Sequence, residues 1–238
     1  AFTGPGTQTE TFDSGFLGGI WDITTLWNAA DTIQFVDGSL SFHKTGDAGA
    51  GTAAVSNVWL PFRGDFTLQF TIPRLADFAQ DNGPFLMPRF VVTEPTWVDM
   101  IWLLIGRLGG QYVVHDGVSG TALFTMPLTT ESCTVRLVKT PGQMICQVAA
   151  DGGAFADAGV VAGNWDTITD TDEVWLYLLG QDWYSSVQGP FDIAIDDLVI
   201  TAEGVPASGS GTEPTAYAPR EAVEVGLDTE HYGNVYDA

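Results

Sequence analysis

The acidic side chains are the first candidates for chemistry, because 30 of them accompany only 8 basic ones in a chain of 238 residues. Cleavage of a glycosidic bond requires two carboxyl groups on facing positions, one as the acid and one as the nucleophile or base. The segment Asp170-Thr171-Asp172-Glu173 is the nearest approach to such a pair, but it precedes a strand and is typical of a solvated turn. The glutamates of the first 203 residues are isolated: Glu10, Glu94, Glu131, Glu173 and Glu203.

Other catalytic arrangements do not stand out in the sequence either. There is no Ser-His-Asp order and no nucleophile elbow. The three histidines, His43, His115 and His231, lack the spacing of metal ligands. We therefore predict that the protein is not an enzyme.

The net charge of −22 restricts the partners. A field of this sign repels phosphate backbones, so we expect no binding to nucleic acid. It favours cation binding and suits an extracellular setting. The sequence has no run of about 18 apolar residues, so we expect no membrane span.

Short strands with turns between them must position any site, because the sequence shows no convincing helix. Residues 65–72 alternate between apolar and polar types, as a strand buried on one face requires. Asp37-Gly38 and Pro141-Gly142 mark the turns of two hairpins. Roughly a dozen strands at this spacing predict an all-β fold, a two-sheet antiparallel sandwich of the jelly-roll type. We expect its first strand, near residue 9, to lie beside its last, residues 191–201.

The last strand contains a break in its alternation. Ile193 and Ile195 share one parity, whereas Leu198 and Ile200 share the other. A strict period of two cannot place all four side chains in one core. We predict a β-bulge at Asp196-Asp197, which would turn one of the two carboxylates toward a polar partner. The alternative is that both faces of the strand are buried there.

The two cysteines flank the second hairpin turn. If Lys139 pairs with Gln143 or Met144, Cys146 lies opposite Arg136 or Leu137 and not opposite Cys133. A disulfide would need closer Cα atoms than this hairpin provides. We predict two free thiols.

The composition also predicts how the chain is divided. Residues 1–8 have the character of an extended arm, residues 9–203 form the jelly-roll domain, and residues 204–219 are a linker rich in Pro, Ser and Gly. Residues 220–238 are acidic and sparsely hydrophobic, so this tail becomes ordered only where another surface holds it. We expect it to bind another protein subunit of an assembly; its own domain is the alternative.

Residues 9–201 resemble the concanavalin A-like lectin and glucanase domains of the laminin-G-like kind, which occur in phage structural proteins and surface adhesins. The resemblance rests on five segments in the usual order: ETFDSGF, IQFVDGSLSF, GDFTLQFTI, CTVRLVKTPGQMICQVAADGGAF and FDIAIDDLVIT. Related glucanases carry a Glu-x-Asp-x-x-Glu strand, which is missing from this sequence.

The resemblance also implies a structural Ca²⁺ ion where the last strand meets the early hairpin. Calcium takes six to eight oxygen ligands from carboxylates and carbonyls. By resemblance, Asp196 would supply a carboxylate and Gly38 a carbonyl. The further candidates near this point are Glu10, Asp13, Asp37 and Asp197. The alternative is that these carboxylates cap turns and face water.

Aromatic residues in loops and at strand ends are the candidates for sugar binding, because sugars place their C–H faces on aromatic rings. Such residues are Trp97 and the adjacent pair Trp183 and Tyr184. Arg107, Tyr112 and His115 are the candidates for polar contacts. Loop aromatics serve subunit interfaces equally well.

These observations favour a non-catalytic structural, decoration or adhesin protein, located extracellularly or on a virion surface, that binds a surface polysaccharide. The first alternative is a secreted carbohydrate-binding module. The second is a divergent glycoside hydrolase or lyase, which would depend on a single essential carboxylate.

Overall fold

The computed structural model describes residues 2–13, 22–26, 31–44, 52–56, 63–92, 101–181 and 190–206. Apart from two 3-10 turns, Leu75–Asp77 and Trp165–Thr167, the regular elements within these ranges are strands. None of the helical segments described is long and apolar enough to cross a membrane. The strands, in chain order, are β1 (Phe2–Thr3), β2 (Gly6–Glu10), β3 (Asp22–Leu26), β4 (Asp31–Val36), β5 (Ser39–Lys44), β6 (Thr52–Ser56), β7 (Arg63–Ile72), β8 (Phe85–Val92), β9 (Ile101–Leu108), β10 (Gln111–Asp116), β11 (Ala122–Met126), β12 (Cys133–Thr140), β13 (Gln143–Ala150), β14 (Ala156–Val161), β15 (Val174–Gln181) and β16 (Phe191–Pro206).

The described strands form two antiparallel sheets. The back sheet has the order β14-β13-β12-β7-β16-β5-β4, with β1 and β2 also paired to β16. The front sheet has the order β11-β10-β9-β8-β15-β6-β3. The predicted all-β sandwich is therefore confirmed.

The core lies between the two sheets and follows the predicted alternation. In β7, Phe66, Leu68, Phe70 and Ile72 are at most 3% exposed. The front sheet contributes its own inward side chains, of which Phe90 packs against Phe66 with ring centroids 5.4 Å apart. Burial of alternate residues from both sheets is the main stabilising contribution in such a sandwich.

The first and last strands lie side by side, as predicted. Strand β2 pairs antiparallel with β16, with Thr9 opposite Val199. Strand β1 also pairs with β16, so part of the segment predicted as an arm lies within the sheet. The chain divides into two compact units after Ala207. The second unit, and with it the predicted tail, lies outside the described residues.

The predicted bulge in the last strand is confirmed. The register between β16 and β7 shifts between Asp196 and Val199, and Asp197 has a φ of 49°. As a result Ile193, Ile195, Leu198 and Ile200 are all at most 1% exposed. The extra residue changes the parity of the strand, which lets both apolar sets face the core.

The cysteines are free, as predicted. Cys146 lies opposite Leu137, and Cys133 lies opposite Ala150. Both side chains are buried, and this burial raises the pKa of each thiol to about 12. Neither thiol is therefore reactive at neutral pH, because the thiolate is the nucleophilic form.

Candidate functional site

The front sheet has an inner face toward the core and an outer face on its other side, and its central strands carry almost no carboxylates. Strands β8, β9, β10 and β15 contain no Asp or Glu except Asp116. Asp116 is 2% exposed, and its carboxylate accepts four hydrogen bonds from Val118, Ser119 and Ala162. A carboxylate that is buried and fully hydrogen-bonded is not free to transfer protons to a substrate.

The same outer face is packed as a second apolar cluster. Phe85, Met87, Trp102, Leu104 and Leu179 are its members, each at most 9% exposed. Sheet register places buried Arg89 in one row between Tyr177 and Trp102. Sequence reasoning missed Arg89 because its strand is otherwise apolar. These side chains are buried.

Arg107 forms a polar cluster at one end of the front sheet. Its Nε donates to Oδ1 of Asp81 at 2.9 Å, and its Nη1 donates to the carbonyl of Ala79 at 3.0 Å. Oδ2 of Asp81 accepts from the backbone N–H of Gly110 at 3.0 Å. The Arg107 and Asp81 side chains are 28% and 37% exposed. We call Asp81 and Arg107 the rim pair.

The rim pair has unused hydrogen-bonding capacity. A guanidinium carries five N–H donors, of which the bonds above use two. The carboxylate of Asp81 has about four acceptor positions, and these bonds occupy two. A ligand hydroxyl both donates and accepts, so it could bind both members of the pair at once. Asp81 was not selected as a site residue from the sequence. The turn residues Asp81-Asn82-Gly83-Pro84 before a strand could have indicated it.

The other predicted polar contacts are not all near Arg107. Tyr112 lies directly opposite Arg107 in the β9–β10 ladder, but its side chain is 5% exposed and belongs to the main core. His115 lies opposite Leu104 and has the parity of the outer face. Burial lowers the pKa of His115, partly offset by the charge of Asp116. Tyr112 is therefore a packing residue, and His115 lies away from the rim pair.

The predicted sugar-binding aromatics Trp97, Trp183 and Tyr184 lie outside the described residues. Their place relative to the rim pair stays a prediction. Trp97 belongs to the segment that follows β8, and Trp183 and Tyr184 to the segment that follows β15. These two strands are neighbours in the front sheet.

Four of the predicted calcium residues lie close together. A side chain at Gly38 would place its Cβ 2.8 Å from Oδ1 of Asp13, so this carboxylate lies directly over the hairpin turn. The turn itself has positive φ at Asp37 and Gly38, as a two-residue hairpin requires. Asp13 also acts electrostatically on Asp196 in the bulge.

The remaining two calcium candidates lie at the bulge in β16. Glu10 is opposite Leu198 in the β2–β16 ladder. Asp197 is exposed, and its backbone N–H donates to Oδ1 of Asp196 at 2.7 Å. The bulge therefore brings carboxylates from β16 and from the segment after β2 to one end of the sheet.

Comparison with solved structures identifies the architecture. Winged bean acidic lectin in complex with methyl-α-D-galactose superimposes with a TM-score of 0.57 at 10% identity, covering 84% of this chain and 99% of the lectin. Peanut lectin gives a TM-score of 0.55 at 8% identity with the same coverage of 84% and 99%. The chain has the concanavalin A-like jelly-roll fold. A Bacillus subtilis protein with a galectin-like fold matches at a TM-score of 0.50 and 11% identity, over 86% of this chain and 99% of that one.

Sequence comparisons add nothing to this. No family model matches the chain, and no characterised protein matches it in sequence. Identities of 8–11% therefore establish the jelly roll alone, without its ligand.

The metal implied for this jelly roll can be tested against the residues present. Among the described residues, no group of three or more His, Cys, Asp or Glu side chains is placed to hold a metal ion. The pKa of Asp196 is raised by burial and by the charges of Asp197 and Asp13, although the Asp197 N–H lowers it. The described side chains alone therefore do not form a calcium site. A bound cation would nevertheless reduce the repulsion between the carboxylates of Asp13, Asp196 and Asp197.

Proposed function

We propose that the protein is a non-catalytic glycan-binding jelly roll whose site includes the rim pair. The observation that carries the proposal is the fixed, partly exposed Asp81–Arg107 pair with its unused donors and acceptors. Sugar hydroxyls require paired donors and acceptors of this kind. The solved structures that this chain resembles include lectins, one of them solved with a galactoside.

The non-catalytic part of the proposal is supported by the front sheet. A glycosidase needs two carboxyl groups on either side of the scissile bond. The described central strands offer Asp116 alone, and four hydrogen bonds already occupy its carboxylate. The lectin neighbours are in keeping with binding without cleavage.

Arg107→Ala is expected to weaken glycan binding at least tenfold. Loss of a hydrogen bond from a charged donor costs about 1.5–3 kcal/mol, and 1.4 kcal/mol corresponds to a factor of ten in affinity. A glycan array would identify a ligand, and isothermal titration would then compare the variants. Trp97→Ala and Trp183→Ala are expected to weaken binding too, because we assign these rings to sugar stacking.

The matched control for this experiment is Arg136→Ala on the back sheet. Arg136 stacks over the ring of Phe155 and donates to Gln69, so it is a partnered arginine far from the rim pair in the topology. Binding should survive this change. Equal losses in both arginine variants, or binding unaffected by Arg107→Ala, would remove the rim pair from the site.

We further propose that the protein acts outside the cell or on a virion surface, as a structural, decoration or adhesin component of a larger particle. The support is the high negative charge and the tail of residues 220–238, which is too polar to fold alone. The full chain is expected to elute as an oligomer in size-exclusion chromatography, whereas a chain ending at Pro206 elutes as a monomer. A monomeric full chain with a protease-sensitive tail would contradict an assembly role.

Calcium is the proposed cofactor, held between Asp13, Asp196 and carbonyl groups of the β4–β5 turn. The support is the position of Asp13 over Gly38 and the repulsion between the two carboxylates. Ionic calcium would supply charge compensation and would not take part in chemistry.

Calcium is expected to raise the melting temperature of the protein, and Asp196→Asn is expected to abolish the rise. Calcium at 100 times its Kd would stabilise the fold by about 2.7 kcal/mol, and each kcal/mol is about 2–4 °C for a domain of this size. Because the pKa of Asp196 is raised in the fold, its charged form costs stability as pH rises through that pKa. Without calcium, Asp196→Asn should therefore be no less stable than the wild type at pH 7.

Differential scanning fluorimetry with Ca²⁺ or Mg²⁺ would check this expectation. Asp166→Asn, at an exposed position, is the control and should keep the calcium response. If the melting temperature of the wild type does not change when Ca²⁺ is added, the proposed calcium site is refuted.

A further inference from the structure

Lys139 is a buried lysine in direct contact with a carboxylate. Its side chain is 1% exposed, and its Nζ donates to Oδ1 of Asp65 at 2.9 Å. The chain has only one other lysine, Lys44. A buried ammonium is costly, because its Coulombic gain from one partner seldom repays the loss of hydration.

Three adjacent strands supply this cluster. In the back sheet, β12 carries Lys139, β7 carries Asp65 and β16 carries Glu203. The backbone N–H of Asp65 donates to Oε2 of Glu203 at 3.3 Å. The register shift between Ala202 and Gly204 places Glu203 in an irregularity of β16.

A pocket of about 310 Å³ joins the three side chains. Its polar lining includes Asp65, Lys139 and Glu203. Its apolar walls include Pro5, Phe66 and Val138. The Lys139 ammonium and the Asp65 carboxylate therefore meet in a largely apolar pocket, and the Glu203 carboxylate lines the same pocket.

We propose that Lys139 and Asp65 become joined by an amide bond between Nζ and Cγ, which cross-links β12 to β7. The hydrogen bond holds Nζ near Cγ, close to the separation of about 3–3.5 Å at which held groups react as if at very high concentration. Because the amide is neutral, the reaction replaces a buried ammonium and the carboxylate beside it with an uncharged group.

The atoms balance without an oxidant or a further reactant. A proton first moves along the existing hydrogen bond from Nζ to the carboxylate, which gives a neutral amine and a carboxylic acid. The amine lone pair attacks Cγ, the Nζ–Cγ bond forms, and one Cγ–O bond breaks. The departing hydroxyl takes a proton from Nζ and leaves as one water molecule. Glu203 accepts and returns the proton between these atoms, as a general acid–base group does.

Intact-mass spectrometry of the purified full chain tests the proposal. The wild type is expected to be lighter than its sequence mass by one water molecule, and a digest should contain one branched peptide that joins Asp65 to Lys139. Lys139→Arg keeps a cation but cannot form this amide, so it should have its full sequence mass. Lys44→Arg, the matched control at the other lysine, should still lose one water molecule.

Two further variants separate the cross-link from other dehydrations. Asp65→Asn can form the same bond by losing ammonia, which would give a product with the mass of the cross-linked wild type. Glu203→Gln should slow the reaction and leave a mixture of masses. A succinimide at an Asp-Gly step would also lose water, but it would persist in Lys139→Arg and yield no branched peptide. Full mass in folded wild-type protein, also after prolonged incubation, would show an ordinary ion pair and overturn the proposal.

Discussion

Replacing Asp116 with alanine is expected to lower the free energy of unfolding by about 4 kcal/mol. The side chain is 2% exposed. Its Oδ1 accepts from the N–H groups of Val118 and Ser119, at 2.9 and 3.3 Å. Its Oδ2 accepts from Oγ of Ser119 at 2.8 Å and from the N–H of Ala162 at 2.9 Å. Alanine would leave these donors without the acceptor they now share.

The size of this effect reflects where the four donors lie. Val118 and Ser119 belong to the turn that ends β10 in the front sheet, and Ala162 follows β14 in the back sheet. The Asp116 carboxylate therefore stabilises the turn after β10 and also connects the front sheet to the back sheet through hydrogen bonds. An unsatisfied buried donor costs about 1–3 kcal/mol, and donors that water can reach after the change cost less.

Urea unfolding followed by circular dichroism would measure the loss. Asp157→Ala is the control, because that carboxylate is exposed and accepts from the Gln147 side chain. The control should change stability by less than about 0.5 kcal/mol. Asp116→Asn should fall between the two, since an amide keeps the shape but has a single acceptor oxygen. If Asp116→Ala lowers the free energy of unfolding by less than about 1 kcal/mol, this carboxylate does not connect the two sheets in the way proposed.

Trp165→Ala is expected to cost about 3–5 kcal/mol of stability, in the range of large-to-small aromatic changes in protein cores. Trp165 is 1% exposed and contacts Phe90 edge-on, with ring centroids 5.9 Å apart. Its Nε1 donates to the carbonyl of Val161 at 2.9 Å. The change would open a cavity between the sheets and leave that carbonyl without its donor.

A second substitution separates the cavity from the hydrogen bond. Trp165→Phe keeps an aromatic ring in the core but cannot donate to Val161, so it should cost only about 1–2 kcal/mol. Leu128→Ala, at a leucine that is 41% exposed, should cost little. Chemical denaturation with an unchanged m value would report these differences as stability. Similar costs for the alanine and phenylalanine variants would mean that the hydrogen bond, not the volume, dominates at this position.

The all-β architecture was predictable because burial on one face of a strand leaves a local pattern. Alternation in residues 65–72 predicted which side chains face the core, and the parity break at Asp196-Asp197 predicted the bulge. The hairpin around Pro141-Gly142 predicted the register that keeps Cys133 and Cys146 apart. In each case neighbouring residues along the chain carried the information.

The candidate glycan site was only partly predictable. Arg107 was predicted as a polar contact for a sugar, but its partner Asp81 is 26 residues away in sequence. Tyr112 was selected on the same grounds and proved to be a core residue. Residue type and position along a strand do not show whether an aromatic side chain is exposed at the edge of the sheet or buried in the core. The place of its strand in the sheet decides how exposed the side chain is.

By itself, the sequence determined most of the strands and their buried faces, the bulge and the free thiols, because each follows from the two-residue period of a strand or from one tight turn. Only the tertiary structure decided that Asp81 meets Arg107 and that Asp65 meets Lys139, which is 74 residues away. Hydrogen bonds and ion pairs act over a few ångströms, so they depend on which distant strands become neighbours and in what register. That pairing follows from packing the whole core, which no local pattern encodes.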